Sequence, residues 1–305
     1  MVQLTRNQVI LAKIESTYRV DPTPTAGADA IQAIDIVVEE QSPALERQAQ
    51  IGNLSNLASL LGERSVDVSF KVEMTGSGTA GTAPRHGALL RACSMSESVI
   101  SNTSVTYEPK STSQDSITIW AYVGGRLVKI TGCRGTCKAV CEAGQFMVYE
   151  FSFSGIRSAN PSVASAPSPT FDQTTAVCKN GTFSYNSKTT LEGKMLDWDL
   201  VNTISKRSDL ADANAVAGFE VTDRKPVASF SSLTQIQTSY DFRGDILTNQ
   251  RELSYTVGGI LTITIPKFNP AGITLEDDSG MLRDKVSGEM SQDSGNDEIS
   301  LAYTG

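Results

Sequence analysis

Residues 65–74, SVDVSFKVEM, alternate without a break. Val66, Val68, Phe70, Val72 and Met74 fall on one side of an extended chain; Asp67, Ser69, Lys71 and Glu73 fall on the other. A period of two belongs to a β-strand with one buried and one wet face, and a helix cannot accommodate it. Such a strand implies an antiparallel sheet, because parallel strands are covered on both faces and read as continuous apolar runs.

Other segments supply neighbours for that strand. Ile117 to Val123 (ITIWAYV) reads as a strand, Gly124-Gly125 as a hairpin turn and Arg126 to Ile130 as the returning strand. Ile31 to Val38 is another strand, and Phe146 to Phe153 closes this half. Pro84 suits the first position of a helix, with Ala88, Leu89, Leu90 and Ala92 as its apolar side. Near the N-terminus, Val9, Ile10, Leu11 and Ile14 around Lys13 and Glu15 predict a short amphipathic helix, stopped by Asp21-Pro22-Thr23-Pro24. The polar stretch Glu39 to Glu63 predicts an extended loop or arm.

The second half repeats this order. Pro226 to Ser231 is a strand, Leu233 to Thr248 a helix-like connection, Leu253 to Val257 a strand, Gly258-Gly259 a turn and Leu261 to Ile265 the return. An alternating strand, Asp297 to Tyr303, ends the chain. Tyr122-Val-Gly-Gly-Arg-Leu127 matches Tyr255-Thr-Val-Gly-Gly-Ile-Leu261. Residues 158–170, SANPSVASAPSPT, carry no charge and read as a semi-extended linker. The expected fold is mainly β: two tandem antiparallel β-sandwich or barrel domains, each with a flanking helix. The first spans 1–157, the Pro/Ser/Ala linker 158–176 and the second domain 177–305.

Gly76-Ser77-Gly78-Thr79-Ala80-Gly81 spells G-x-G-x-x-G, the dinucleotide-binding pattern. Its context excludes that use. The preceding strand alternates where a Rossmann strand is apolar throughout, and Thr82-Ala83-Pro84 separates the glycines from the helix whose N-terminus should meet a phosphate. The loop reads as a connector of small residues against which something packs closely.

No catalytic or cofactor set emerges, so neither an enzyme nor a cofactor is expected. His86 is the only histidine, and a hydrogen-bonded or solvent-facing structural role suits it. Cys133, Cys137 and Cys141 lie four apart, with Cys178 following, which matches no zinc pattern. They read as reduced thiols in a hairpin or its loop, with a metal site or a disulfide formed after assembly as the alternatives, and Cys93 as a small core residue. No run approaches the roughly 18 apolar residues of a membrane span, and the N-terminus lacks the features of a signal peptide, so synthesis in the cytosol is expected. A net charge of −8 argues against a dedicated nucleic-acid or anionic-membrane binder. Glu276 to Glu298 holds eight acids against Arg283 and Lys285, a local charge of −6. It is either a solvated loop or an acidic surface with a purpose.

Three stretches together resemble tail tube proteins of tailed bacteriophages. They are Ile10 to Tyr18 (ILAKIESTY) with Asp21 to Pro24 and Ala28 to Ala30, then Phe70 through Ala92 with its GSGTAGTAP and HGALLRAC, and the closing Asp297 to Leu301. The resemblance implies a virion structural protein, assembled in the host cytoplasm, whose sheets join across subunits into stacked rings that convey the genome. Siphophage chains with two tube-fold copies form rings of three that mimic six, and a trimer is favoured here over a hexamer. It implies tape-measure, tail-tip and tail-terminator proteins as partners, with phage DNA passing unbound and no membrane. Contacts to neighbouring subunits are expected from Gln48, Asn53, Leu57, Gly76, Gly78, Thr79 and Gly81. Asp277, Asp278, Asp284, Glu289 and Asp293 are expected to face the lumen, where negative charge repels DNA phosphates. Rival readings are the inner tube of a contractile tail or injection device, and a monomeric receptor- or carbohydrate-binding β-sandwich.

Overall fold

The computed structural model describes residues 7–50, 52, 55–171, 174–235, 240–248 and 250–305. Asn53 lies outside the described residues. The first half contains β1 (Val9–Ile14), β2 (Ala33–Gln41), β3 (Ser65–Glu73), α1 (Gly87–Ala92), β4 (Met95–Ile100), β5 (Ser104–Pro109), β6 (Ile117–Val123), β7 (Arg126–Glu142), β8 (Val148–Arg157) and β9 (Ser162–Val163). The second contains β10 (Phe183–Tyr185), β11 (Gly193–Asp199), β12 (Asn202–Ser208), β13 (Val216–Arg224), β14 (Val227–Leu233), α2 (Phe242–Thr248), β15 (Arg251–Val257), β16 (Leu261–Asp278), β17 (Met281–Ser291) and β18 (Ser300–Tyr303). The protein is mainly β, and among the described residues every strand pairing is antiparallel.

The two halves share one strand order. In the first, neighbours run β1-β6-β7-β8-β3-β2. In the second they run β10-β15-β16-β17-β14-β11. Each has a double-glycine turn leading into its longest strand, and a terminal strand (β9 or β18) on the start of that strand. The β4–β5 hairpin is particular to the first half, and β5 pairs with β18.

The two longest strands outrun their sequence-based limits for one reason. β7 passes Ile130 because β8 accompanies it to Val140 and β11 of the other half pairs with Lys138 to Glu142, and β16 passes Ile265 because β17 accompanies it to Asp278. The acidic tract is therefore mostly the end of a long hairpin instead of a solvated loop. Cys133, Cys137 and Cys141 stand within β7, where an even spacing puts side chains on one face; all five cysteines are buried.

The expected N-terminal helix is a strand. Ile10 and Ala12 enter the main core, while Val9 and Leu11 pack with Trp120, Tyr122 and Phe171 on the other side. Burial on both faces erases alternation, and the resulting apolar run mimics a helical stripe. The arm 39–63 begins as the end of β2 and then extends beyond a short ladder in which Ala44–Leu45 pairs with Leu60–Leu61. One buried cluster, from Ile10 to Tyr303, runs through both halves.

Candidate functional site

Eight strands form one continuous surface, in the order β2-β3-β8-β7-β11-β14-β17-β16. At its middle the halves meet edge to edge, with Lys138 opposite Asp199, Ala139 opposite Trp198, Val140 opposite Asp197 and Cys141 opposite Leu196. Directly opposed residues share a face, so the register sorts the side chains. Val68, Phe70, Tyr149, Phe151, Cys137, Ala139, Leu196, Trp198, Phe230 and Val286 point into the core.

The opposite face is polar across both halves. It carries Ser69, Ser152, Ser229, Ser231 and Ser287 between Asp67, Glu150, Asp197, Asp199, Glu276, Asp278 and Glu289, with Lys71, Lys138, Arg283 and Lys285 as cations. Ser154 donates to Asp67 at 2.7 Å, and Ser229 donates to Asp197. Arg283 (2.6 Å) and Lys194 (3.0 Å) pair with Asp278, and the Arg283 hydrogen bond holds its carboxyl below the usual range. The face is acidic and rich in short hydroxyls, of which Ser229 and Ser231 are buried.

The acids expected to act together divide between the two faces. Asp278 and Glu289 stand on the polar face. Asp277, exposed, is opposite Leu282 on the other side. Asp284 shares that side and is buried at 3 % exposure, lining a pocket with Tyr240, Phe242 and Arg243. Its register opposite Ser232 and Leu275 turns it away from water on the polar side. Asp293 lies beyond β17, paired with Lys267 at 2.5 Å.

The small-residue loop makes its close approaches within the chain. A Cβ on Gly76 would lie 2.3 Å from the Gly305 carbonyl oxygen, and one on Gly81 would lie 2.4 Å from the Asn102 nitrogen. Gly78 and Thr79 are exposed, as is Gln48 on the arm; Leu57 is half-buried. The arm also exposes Leu45, Leu60 and Leu61.

A second arm, the β12–β13 hairpin, folds over one end of the polar face, and sequence reasoning missed it. Arg134 of β7 donates to the Phe219 carbonyl at 2.7 Å, pairs with Glu220 and stacks on Tyr18 at 4.9 Å. The Phe219 N–H donates to the Tyr18 hydroxyl at 2.8 Å, and Arg19 pairs with Asp212 at 2.6 Å. The one legible trace of β11 itself was the alternation Leu196-Asp197-Trp198-Asp199. His86 is fully buried beneath the same core, its Nε2 2.7 Å from the Tyr303 hydroxyl.

Fold and face together define a structural β protein organised around a broad polar sheet surface. The family model for phage tail tube proteins matches residues 5–188, and the chain belongs to that family. No curated protein matches the chain.

Proposed function

We propose that the chain polymerises into stacked rings that form the tube of a siphophage tail, and that the polar face of the eight-strand surface lines its channel. The observation that carries this reading is the edge-to-edge junction of β7 with β11, which joins the equivalent sheets of the two halves into one polar surface. The halves act as two tube-like domains, 1–157 and 177–305, linked by 158–176. Three chains then give a ring with six similar sheets.

A channel wall of serines and carboxylates suits transit. The hydroxyls bond to neighbouring carboxylates, and the carboxylates repel phosphates over about a Debye length, roughly 8 Å at physiological salt. DNA is therefore conveyed without being held. Glu276, Asp278 and Glu289 are the acids of the tract that serve there. The arm, with Gln48 and Leu57, and the exposed loop residues Gly78 and Thr79 reach adjacent subunits or rings. Tape-measure, tail-tip and tail-terminator proteins bind the assembled tube, which forms in the host cytoplasm and becomes part of the virion.

Electron microscopy of the purified protein, followed by symmetry analysis, tests the proposal. Hollow tubes with three chains per ring are expected. Six chains per ring would remove the duplication, and dispersed particles at high protein concentration and in virions lacking this chain from the tail would remove the tube itself.

A further inference from the structure

We propose that one chain closes onto the next by pairing the outer half of its β16 with the β2 strand of a second copy, and that like charges on these two strands restrain closure. The proposal rests on the ring reading above. Each half contributes one strand of the β7 type and one of the β11 type to the continuous surface, and the internal junction uses one of each. Among the described residues, β2 pairs only with β3, and β16 beyond Phe268 pairs only with β17. The two open edges are thus the counterparts of the pair already joined inside the chain.

The register follows from the pairings. Both β2 and β11 carry a bulge, before Val37 and before Met195 respectively. Aligning those bulges makes Glu40 the counterpart of Trp198, Val66 of Ala228 and Gly155 of Gly288. Counting back two residues equates Phe153 with Val286, and their partners Gly135 with Ile273, so Asp277 corresponds to Ala139. Because Ala139 faces Trp198 within the chain, Asp277 of one chain faces Glu40 of the next. By the same register Asp278 faces Glu39 and Glu276 faces Gln41.

The internal junction has Lys138 opposite Asp199 and Val140 opposite Asp197, an attractive pair and a neutral one. In the closing junction Glu276 opposite Gln41 replaces the attractive pair, Asp278 opposite Glu39 replaces the neutral one, and Asp277 opposite Glu40 stands where Ala139 meets Trp198. Directly opposed like charges destabilise strand pairing, and edge charges are a device against uncontrolled edge-to-edge association. Arg157 on Glu40, and Arg283 and Lys194 on Asp278, temper the repulsion. The edges therefore stay apart in a free chain and join when salt or a growing tube end offsets the repulsion.

Two measurements on the full chain test this. The Glu40→Cys and Asp277→Cys double variant, oxidised after assembly, should yield covalent three-chain rings on a denaturing gel, with neither single variant doing so. Tubes that form without that cross-link overturn the junction and leave the tube reading standing; a wild-type chain that forms no tubes overturns both. The Glu39→Gln and Asp277→Asn double variant should nucleate assembly about fivefold faster than wild type at low salt. The advantage should fade near 1 M salt, where the Debye length is about 3 Å. Equal nucleation rates at low salt overturn the charge restraint.

Discussion

His86 Nε2 and the Tyr303 hydroxyl lie 2.7 Å apart, joining the turn before α1 to the last strand of the chain. Tyr303 in turn meets the Tyr149 hydroxyl at 2.6 Å, so three buried side chains from both halves share one polar contact in an apolar core. Burial pushes the His86 pKa down to about 3 from 6.5, because a buried imidazolium loses its hydration without gaining an anion.

That burial sets a pH dependence. The folded-state pKa lies below the unfolded value, so the neutral form favoured by folding contributes fully above about pH 6.5 and is lost as pH falls toward 3. The cost grows by about 1.4 kcal/mol per pH unit in that window. Chemical denaturation of wild type and His86→Gln from pH 7 to 4 should show a shallower loss in the variant. Parallel curves would assign the acid sensitivity to other groups.

A Cβ on Gly218 would lie 2.1 Å from the Tyr18 hydroxyl. Gly218→Ala should therefore lift the β12–β13 hairpin off β7 and cost about 1–3 kcal/mol. Tyr18→Phe removes the nearest clashing atom and the acceptor for Phe219 N–H, leaving the ring carbons Cε1 and Cζ at 2.6 and 2.7 Å from that Cβ. Thermal unfolding of the two single variants and the double should show strongly non-additive losses; simple addition would mean the hairpin is held elsewhere.

Burial raises the thiol pKa values of Cys93, Cys133 and Cys137. Cys141 is raised and Cys178 lowered, first through a hydrogen bond between the two. Alkylation of the native chain at pH 8 should be slow, with Cys178 first and all five reacting after denaturation. Mass mapping that finds Cys137 modified early in folded protein would contradict its place in the core.

The channel assignment separates acids that are close in sequence. Charge reversal at Glu276 and Glu289 should leave assembly possible and slow genome ejection, most clearly at low salt. Glu252→Lys, exposed on β15, which is not one of the eight strands of the surface, should leave ejection unchanged. Normal low-salt ejection from particles shown to contain the first variant would put the polar face outside the channel.

Deleting Gln48 to Leu57 spares the ladder of Ala44–Leu45 with Leu60–Leu61. The shortened chain should keep its unfolding temperature within a few degrees, since exposed segments contribute little to stability, yet fail to extend tubes. Tubes of normal length from this variant would remove the arm from assembly.

The sequence by itself determined the β class, the alternating strand Ser65–Glu73 and both double-glycine turns. Each is encoded locally, in a period of two or in residues that tolerate positive φ, as at Gly124 and Gly258. It also carried enough of the repeated order to suggest two similar halves, because that order is a succession of such local signals. Tertiary structure alone decided the rest. Val9 to Ile14 became a strand because two layers cover it, and β7 reached Glu142 because the other half offered it an edge. Asp278 and Asp284 carry the same group six residues apart, yet the β16–β17 register puts one on the polar face and the other under the core. Which face a side chain occupies depends on the strand lying opposite, and that partner is distant in sequence.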